Sequence, residues 1–166
     1  MGTSLGISTL YQFYAARDSK IISLEGCPMT AGAAKANFQR LKVDDIIQKV
    51  GEFDTTLPSA IKELGRLDYA FFDGNHRKKP TLKYFEQCLA HAHEGSVFIF
   101  DDIYWSEEMQ EAWKTIQGHP EVTLTIDLFF LGIVFFRKEQ RQKEHFKLLP
   151  TAWKPFGIGL RDLLRG

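Results

Sequence analysis

The chain has 166 residues, enough for one domain with a sizeable core. It is 44% hydrophobic and carries 21 basic and 21 acidic residues, so formal net charge is zero and no broad basic footprint for nucleic acid is expected. It contains no apolar run of about 18 residues and no signal-peptide layout, so it reads as soluble and cytoplasmic, neither membrane-bound nor exported. Its two cysteines, Cys27 and Cys88, are too few for a disulfide framework and lack zinc-ligand spacing, and read as reduced packing thiols.

Strands and helices alternate along the chain. Residues 1–9 form a glycine-bearing turn leading into a helix at 10–16; such turns ordinarily follow a strand, and none precedes this one. Residues 20–25 (Lys-Ile-Ile-Ser-Leu-Glu) predict a strand, 30–41 a helix and 45–50 a second strand, with Gly51 opening a loop. A helix is expected at 56–64, with Thr55 or Thr56 as N-cap and Pro58 in its first turn. Residues 68–73 predict the third strand. The next helix starts near Pro80, sets Leu82, Phe85, Leu89 and Ala92 on one stripe, and stops at Gly95. A fourth strand at 96–101 precedes a helix at 106–117, capped by Ser106 with Glu107 and Glu108 in its first turn.

After Gly118 two β-rich runs, 122–127 and 132–136, predict an antiparallel pair closing one edge of a mostly parallel sheet. The charge-dense stretch 137–147 is expected to be a solvated helix. The tail 150–166 carries Trp153, Phe156, Leu160, Leu163 and Leu164, and is expected to pack on its own domain or on a second subunit, which hints at a homodimer. The expectation is therefore an α/β fold: a Rossmann-like, mostly parallel sheet flanked by helices in a three-layer α/β/α sandwich, with one domain at 1–149 and a tail at 150–166.

Two apolar strands end on acids: Ala70-Phe71-Phe72 runs into Asp73, and Val97-Phe98-Ile99-Phe100 into Asp101-Asp102. Open α/β sheets bind ligands outside the carboxyl ends of their strands. If these strands are neighbours, Asp73, His76, Asp101 and Asp102 converge. Plainer readings stand beside this one. Asp101-Asp102 reads equally as an N-cap for the following helix, Glu25 as a solvated strand end, and His76 as a loop residue rather than a general base. His91 and His93, two apart on one helix, read as structural or surface residues, while His119 and His145 carry no signal. Tyr104 and Trp105 either wall a pocket or pack. Arg77-Lys78-Lys79 reads as a solvated run or as a draw for an anionic substrate.

The pattern resembles the class I S-adenosylmethionine-dependent methyltransferases, in particular the catechol and caffeoyl-CoA O-methyltransferase branch. The resemblance covers roughly residues 2–137. Gly2-Thr3-Ser4-Leu5-Gly6-Ile7-Ser8 matches the family's Gly-x-x-x-Gly-x-Ser motif. This implies that Gly2, Thr3, Ser4, Gly6 and Ser8 meet the methionine part of the cofactor, with the serine at its carboxylate. Glu25 stands where the family places an acid on the ribose hydroxyls, since a carboxylate accepts from two vicinal hydroxyls at once. Gly51-Glu52-Phe53 stands where the adenine lies against a loop. Asp73 is implied in cofactor binding, and Asp73, Asp101 and Asp102 stand where metal-dependent members hold a divalent cation with Asp, Asp and Asn.

Two departures are visible: Asp102 occupies the asparagine position, and His76 the place where the family often has lysine. The family's first strand, before the glycine motif, and its N-terminal substrate-covering helices are absent, which leaves a gap in the expected sheet for the tail or another chain to fill. The resemblance implies methyl transfer to an oxygen of a small molecule, with His76 and Asp73 as the catalytic pair. Mg²⁺ would lower the acceptor's pKa; without a cation the acid cluster would favour protonation of one member. The alternatives are a non-catalytic methyltransferase-like remnant or interaction module, a nicotinamide-dependent oxidoreductase disfavoured by the glycine spacing, and a metal-dependent hydrolase built on Asp73, His76 and Asp101.

Overall fold

The computed structural model describes residues 1–139 and 142–148. In chain order the elements are α1 (Ile7–Ala15), β1 (Ile21–Glu25), α2 (Pro28–Arg40), β2 (Ile46–Val50), α3 (Phe53–Leu64), β3 (Tyr69–Phe72), α4 (Lys78–Leu89), β4 (Val97–Asp101), α5 (Glu107–Gly118), β5 (Leu124–Asp127), β6 (Leu131–Phe135) and β7 (Glu144–Lys147). The α/β class and the mostly parallel pairing are as expected, but the strands form two sheets, not one. β1 and β2 pair in parallel, and a five-stranded sheet runs β3-β4-β6-β5-β7. Within it β3 and β4 are parallel, while β6 lies antiparallel to both β4 and β5.

Residues 1–3 stitch the two sheets together. The Met1 amine donates to the Phe71 carbonyl at 2.7 Å, Asp73 N–H donates to the Met1 carbonyl, and Gly2 and Thr3 N–H both donate to the Leu24 carbonyl. Beyond this stitch a cavity of about 470 Å³ separates β1 from β3.

Helices cover both faces. Ile22 and Leu24 pack into the main core with Leu57 and Ile61 of α3, whereas Ile21, one residue away and pointing to the opposite face, packs with Leu10 and Phe13 of α1 and Phe38 of α2. The main core is phenylalanine-rich. Phe72 stacks on Phe100 with centroids 4.3 Å apart, and Phe85 meets Phe98 and Phe100 edge-on. Phe85, Phe98 and Phe100 are essentially sealed from solvent, each contributing about 1.5–3 kcal/mol of burial free energy. His93 bonds Asp68 at 2.9 Å, and His91 bonds the Gly65 carbonyl, so both serve the loops flanking β3.

Several expectations are corrected. Among the described residues of 137–147 there is no helix: β7 pairs in parallel with β5, and all four of its side chains are exposed. Alternating charge suits a solvated helix and a solvated edge strand alike, and charge on an edge strand blocks further pairing. The β5–β6 pair is therefore not the sheet's margin. α3 starts at Phe53 with Glu52 as N-cap; the Thr56 hydroxyl bonds back to the Glu52 carbonyl inside the helix, and Pro58 sits in the second turn. α4 ends at Leu89 with Ala90 at its C-cap, leaving Gly95 in the turn before β4. The tail 150–166, with its expected packing role, lies outside the described residues. Among the described residues no helix is long and apolar enough to cross a membrane.

Candidate functional site

The site is built at the carboxyl ends of β1, β2, β3 and β4. The first piece is the turn 2–6. Gly2 has φ +80°, and a Cβ there would stand 1.7 Å from the Asp73 carbonyl oxygen. Gly6, at φ +81°, is the N-cap of α1, and its missing Cβ would strike the Phe38 ring at 2.5 Å. Only glycine serves at both positions. No side chain caps α1 and no acid lies in its first turn, so its leading N–H groups are presented at a positive helix end, a ready anion site.

The second piece is Glu25. Its Oε2 accepts from Ser4 N–H at 2.8 Å and its Oε1 from Cys27 N–H at 3.0 Å. The carboxylate thus fastens the glycine turn to the start of α2, and each oxygen keeps a further acceptor site. Gly51 N–H donates to the Glu25 carbonyl at 2.9 Å, which brings the 51–53 loop alongside. Phe53 packs edge-on against Tyr84 and lies so close to Gly74 that a Cβ there would meet its ring at 2.8 Å. Glu52 is exposed at the head of α3.

Two residues of the glycine motif face elsewhere. The Thr3 side chain is buried, its hydroxyl 2.6 Å from that of Ser23, where it holds the turn from beneath. Ser8 lies in the first turn of α1 beside the cavity.

The third piece is the acid–histidine cluster. β3 and β4 are neighbours, so Asp73, His76, Asp101 and Asp102 do come together. His76 Nε2 stands 3.6 Å from Asp73 Oδ1 and 3.8 Å from Asp102 Oδ2. Burial, with the Asp101 carboxylate beside it, holds the Asp73 carboxyl above the usual range, and His76 opposes this. Asp102 adopts φ +55° and donates its N–H to Asp101 Oδ1. Ser106 alone provides the side-chain cap of α5, so the Asp101-Asp102 pair does not act as that cap.

Asn75 is a member the sequence reading missed. At φ +56° it turns the loop, and its amide donates to the Tyr84 hydroxyl while its oxygen accepts from Arg77 Nε. The Gly74-Asn75 dipeptide was its only sequence signal. Among the described residues no group of three or more His, Cys, Asp or Glu is arranged to hold a metal ion. Asp73, Asp101 and Asp102 are adjacent, but as they stand they do not form a ligand set.

Neighbouring features resolve toward structure. Tyr104 donates to Asp127 Oδ2 at 2.6 Å and lies under the Lys147 ammonium, fastening β7 in place. Lys78, in the basic run, bonds Glu108 through its N–H and Glu111 through its ammonium, tying α4 to α5. Trp105 is 74% exposed and Phe130 46%.

The methyltransferase domain family matches residues 1–103, well over half of the chain. The chain belongs to that family. The match confirms the resemblance read from the sequence and sets the nicotinamide and hydrolase alternatives aside. The fold is shared with solved methyltransferases. Cofactor-bound Rv0187 from MTB is 22% identical with a TM-score of 0.70, the match covering 82% of this chain and 70% of that one. The S-adenosylhomocysteine-bound methyltransferase PaMTH1 of Podospora anserina is 18% identical with a TM-score of 0.70, covering 82% and 69%. An O-methyltransferase from Bacillus cereus in complex with S-adenosylhomocysteine is 21% identical with a TM-score of 0.63, covering 81% and 71%. No curated protein sequence matches.

Proposed function

We propose that this methyltransferase transfers the methyl group of S-adenosylmethionine to an oxygen of a small-molecule acceptor. The observation that carries the reading is the glycine turn, held by Glu25 on one side and pressed onto Asp73 on the other. It leaves no room for a side chain where a ligand's backbone contacts would form. O-methyltransferases among the solved structures of this fold bind the cofactor or its product.

S-adenosylmethionine, when bound, supplies a methyl group already activated on a sulfonium. The uncapped start of α1, including the Ser8 N–H, receives its carboxylate. Glu25 offers its remaining lone pairs to the ribose hydroxyls, and the Gly51–Phe53 loop receives the adenine. His76, with Asp73 and Asp102 within 4 Å of its Nε2, takes the proton of the acceptor hydroxyl. The methyl would pass to that oxygen by displacement of the sulfonium, with the carbon–sulfur bond pair retained by sulfur. The protein's contribution is position and a deprotonated oxygen. Asp73, Asp101 and Asp102 are the residues that would hold a divalent ion, and such an ion would lower the pKa of the acceptor hydroxyl. Both cysteines are free, Cys27 exposed and Cys88 buried, which suits the reducing cytoplasm.

Calorimetric titration with S-adenosylhomocysteine tests the reading. Binding is expected, weakened about tenfold or more by Glu25→Gln, which keeps the shape but loses the charge-assisted bonds. His76→Gln should leave that affinity in place while cutting transfer by about 10²-fold or more. A folded chain that gives no heat would end the proposal. The division of the sheet favours one second reading, a methyltransferase-like remnant or interaction module that keeps the fold but lacks an assembled cofactor site, and the same titration separates the two.

A further inference from the structure

The loop that carries His76 leans on the loop assigned to the adenine. Gly74 lies against the Phe53 ring, where a Cβ would stand 2.8 Å from it. Phe53 also meets the ring of Tyr84 edge-on, with centroids 6.0 Å apart. Tyr84 is buried on α4, and its hydroxyl accepts from Asn75 Nδ2 at 3.2 Å. The residue next to the base is thus fastened to a ring that itself rests on Phe53. Residues 74–76 lie outside strand and helix, so bonds from neighbouring elements set where they stand.

The direction of each bond is fixed. Arg77 Nε donates to Asn75 Oδ1 at 3.1 Å, so the amide turns its NH2 group toward Tyr84. The hydroxyl therefore accepts from Asn75, and its own hydrogen is left for Asp54 of α3. The Lys83 ammonium, 2.9 Å from Asp54, holds that carboxyl below the usual carboxylate range, and the Tyr84 hydroxyl adds to the effect. Burial, with Asp54 beside it, holds the Tyr84 phenol above its ordinary value, so its hydrogen stays in place at neutral pH. Asn75 sits at φ +56°, a setting that asparagine tolerates better than most residues.

We propose that Tyr84 is a positioning residue for methyl transfer: through Asn75 its hydroxyl holds His76 in register with the cofactor loop, so that seating the adenine on Phe53 also fixes the base. The inference rests on the methyl-transfer reading and deepens it. Tyr84 touches neither donor nor acceptor in this role. It acts through Asn75, and a base held to within a fraction of an ångström is what the reaction needs from the protein.

Tyr84→Phe keeps the ring against Phe53 and removes only the oxygen. S-adenosylhomocysteine is titrated by calorimetry into the unaltered chain and into this variant. In parallel, the ring signals of His76 are followed by NMR in protein carrying isotope-labelled histidine, with His76→Gln to assign them. The two affinities should agree within about twofold. The displacement of the His76 signals on ligand binding should fall by about half or more in Tyr84→Phe. Any direct contact between ligand and His76 is common to both proteins, so the difference reads the Tyr84 route alone. Asn75→Gly tolerates the same φ and should give the same loss, and the double variant no more than either, because one bond is removed in each case. An unchanged His76 displacement in Tyr84→Phe would overturn the proposal and leave the cofactor reading in place. A loss of affinity of about tenfold or more in that variant would make Tyr84 part of the adenine seat, and would overturn it as well. No heat from the unaltered chain would end both.

Discussion

A methyl group added at residue 2 would stand 1.7 Å from the Asp73 carbonyl oxygen, on a backbone whose φ of +80° side chains already resist. Gly2→Ala is therefore expected to destabilise the chain by about 2–3 kcal/mol and to abolish S-adenosylhomocysteine binding, measured by thermal melting and calorimetry. Asp73 is a different case. Its carboxyl titrates higher folded than unfolded, because burial and Asp101 oppose its charge. The folded chain holds that proton more tightly, so the group costs no stability below the ordinary aspartate range and progressively more as pH rises through its raised value. Asp73→Asn should accordingly melt roughly 2–4 °C higher at neutral pH, an advantage that fades on acidification toward about pH 3, while losing methyl transfer. Both residues were legible in the sequence: an acid after a buried strand and a glycine in a turn carry their reasons locally. The Thr3–Ser23 hydroxyl pair and the Tyr104–Asp127 bond were not, since each joins residues 20 or more positions apart that only the fold brings together.

Among the elements, helices with a stripe and a cap were readable. Leu89 and Phe85 are buried along α4 as their spacing requires, and Ser106 accepts from Met109 N–H at the head of α5. Ser106→Ala should cost about 1 kcal/mol, seen as a lowered melting temperature with cofactor affinity unchanged. By contrast Lys78→Ala should change stability by less than about 0.5 kcal/mol, because its partner Glu111 is well exposed. β7 escaped the sequence reading for a physical reason. Its side chains are all solvated, so neither a two-residue nor a 3.6-residue apolar period marks it. α3 begins earlier than its threonines suggested: Glu52 takes the N-cap position without a side-chain cap, just after Gly51 bonds to Glu25, a contact outside the helix itself.

At the scale of the molecule, the order of strands and helices was legible, but the break in the sheet was not placed by any local pattern; only the family resemblance pointed to it. The break divides the interior unequally. The smaller core, Leu10, Phe13, Ala34, Phe38 and Val43, underlies β1 and β2, while the aromatic core spans the other sheet. A two-stranded sheet is marginal without strong packing. Hydrogen exchange should therefore show the β1 and β2 amides opening well before those of β3, β4 and β6, and uniform protection across both would contradict this.

The turn from Met1 to Gly6 crosses that break, with Glu25 and Gly51 on one bank and Asp73 and Asp101 on the other. Anything seated there touches both banks and acts as a rivet. Its arrival should slow exchange most in the weaker half, so that occupancy would be read as mechanical stiffening far from the reacting atoms.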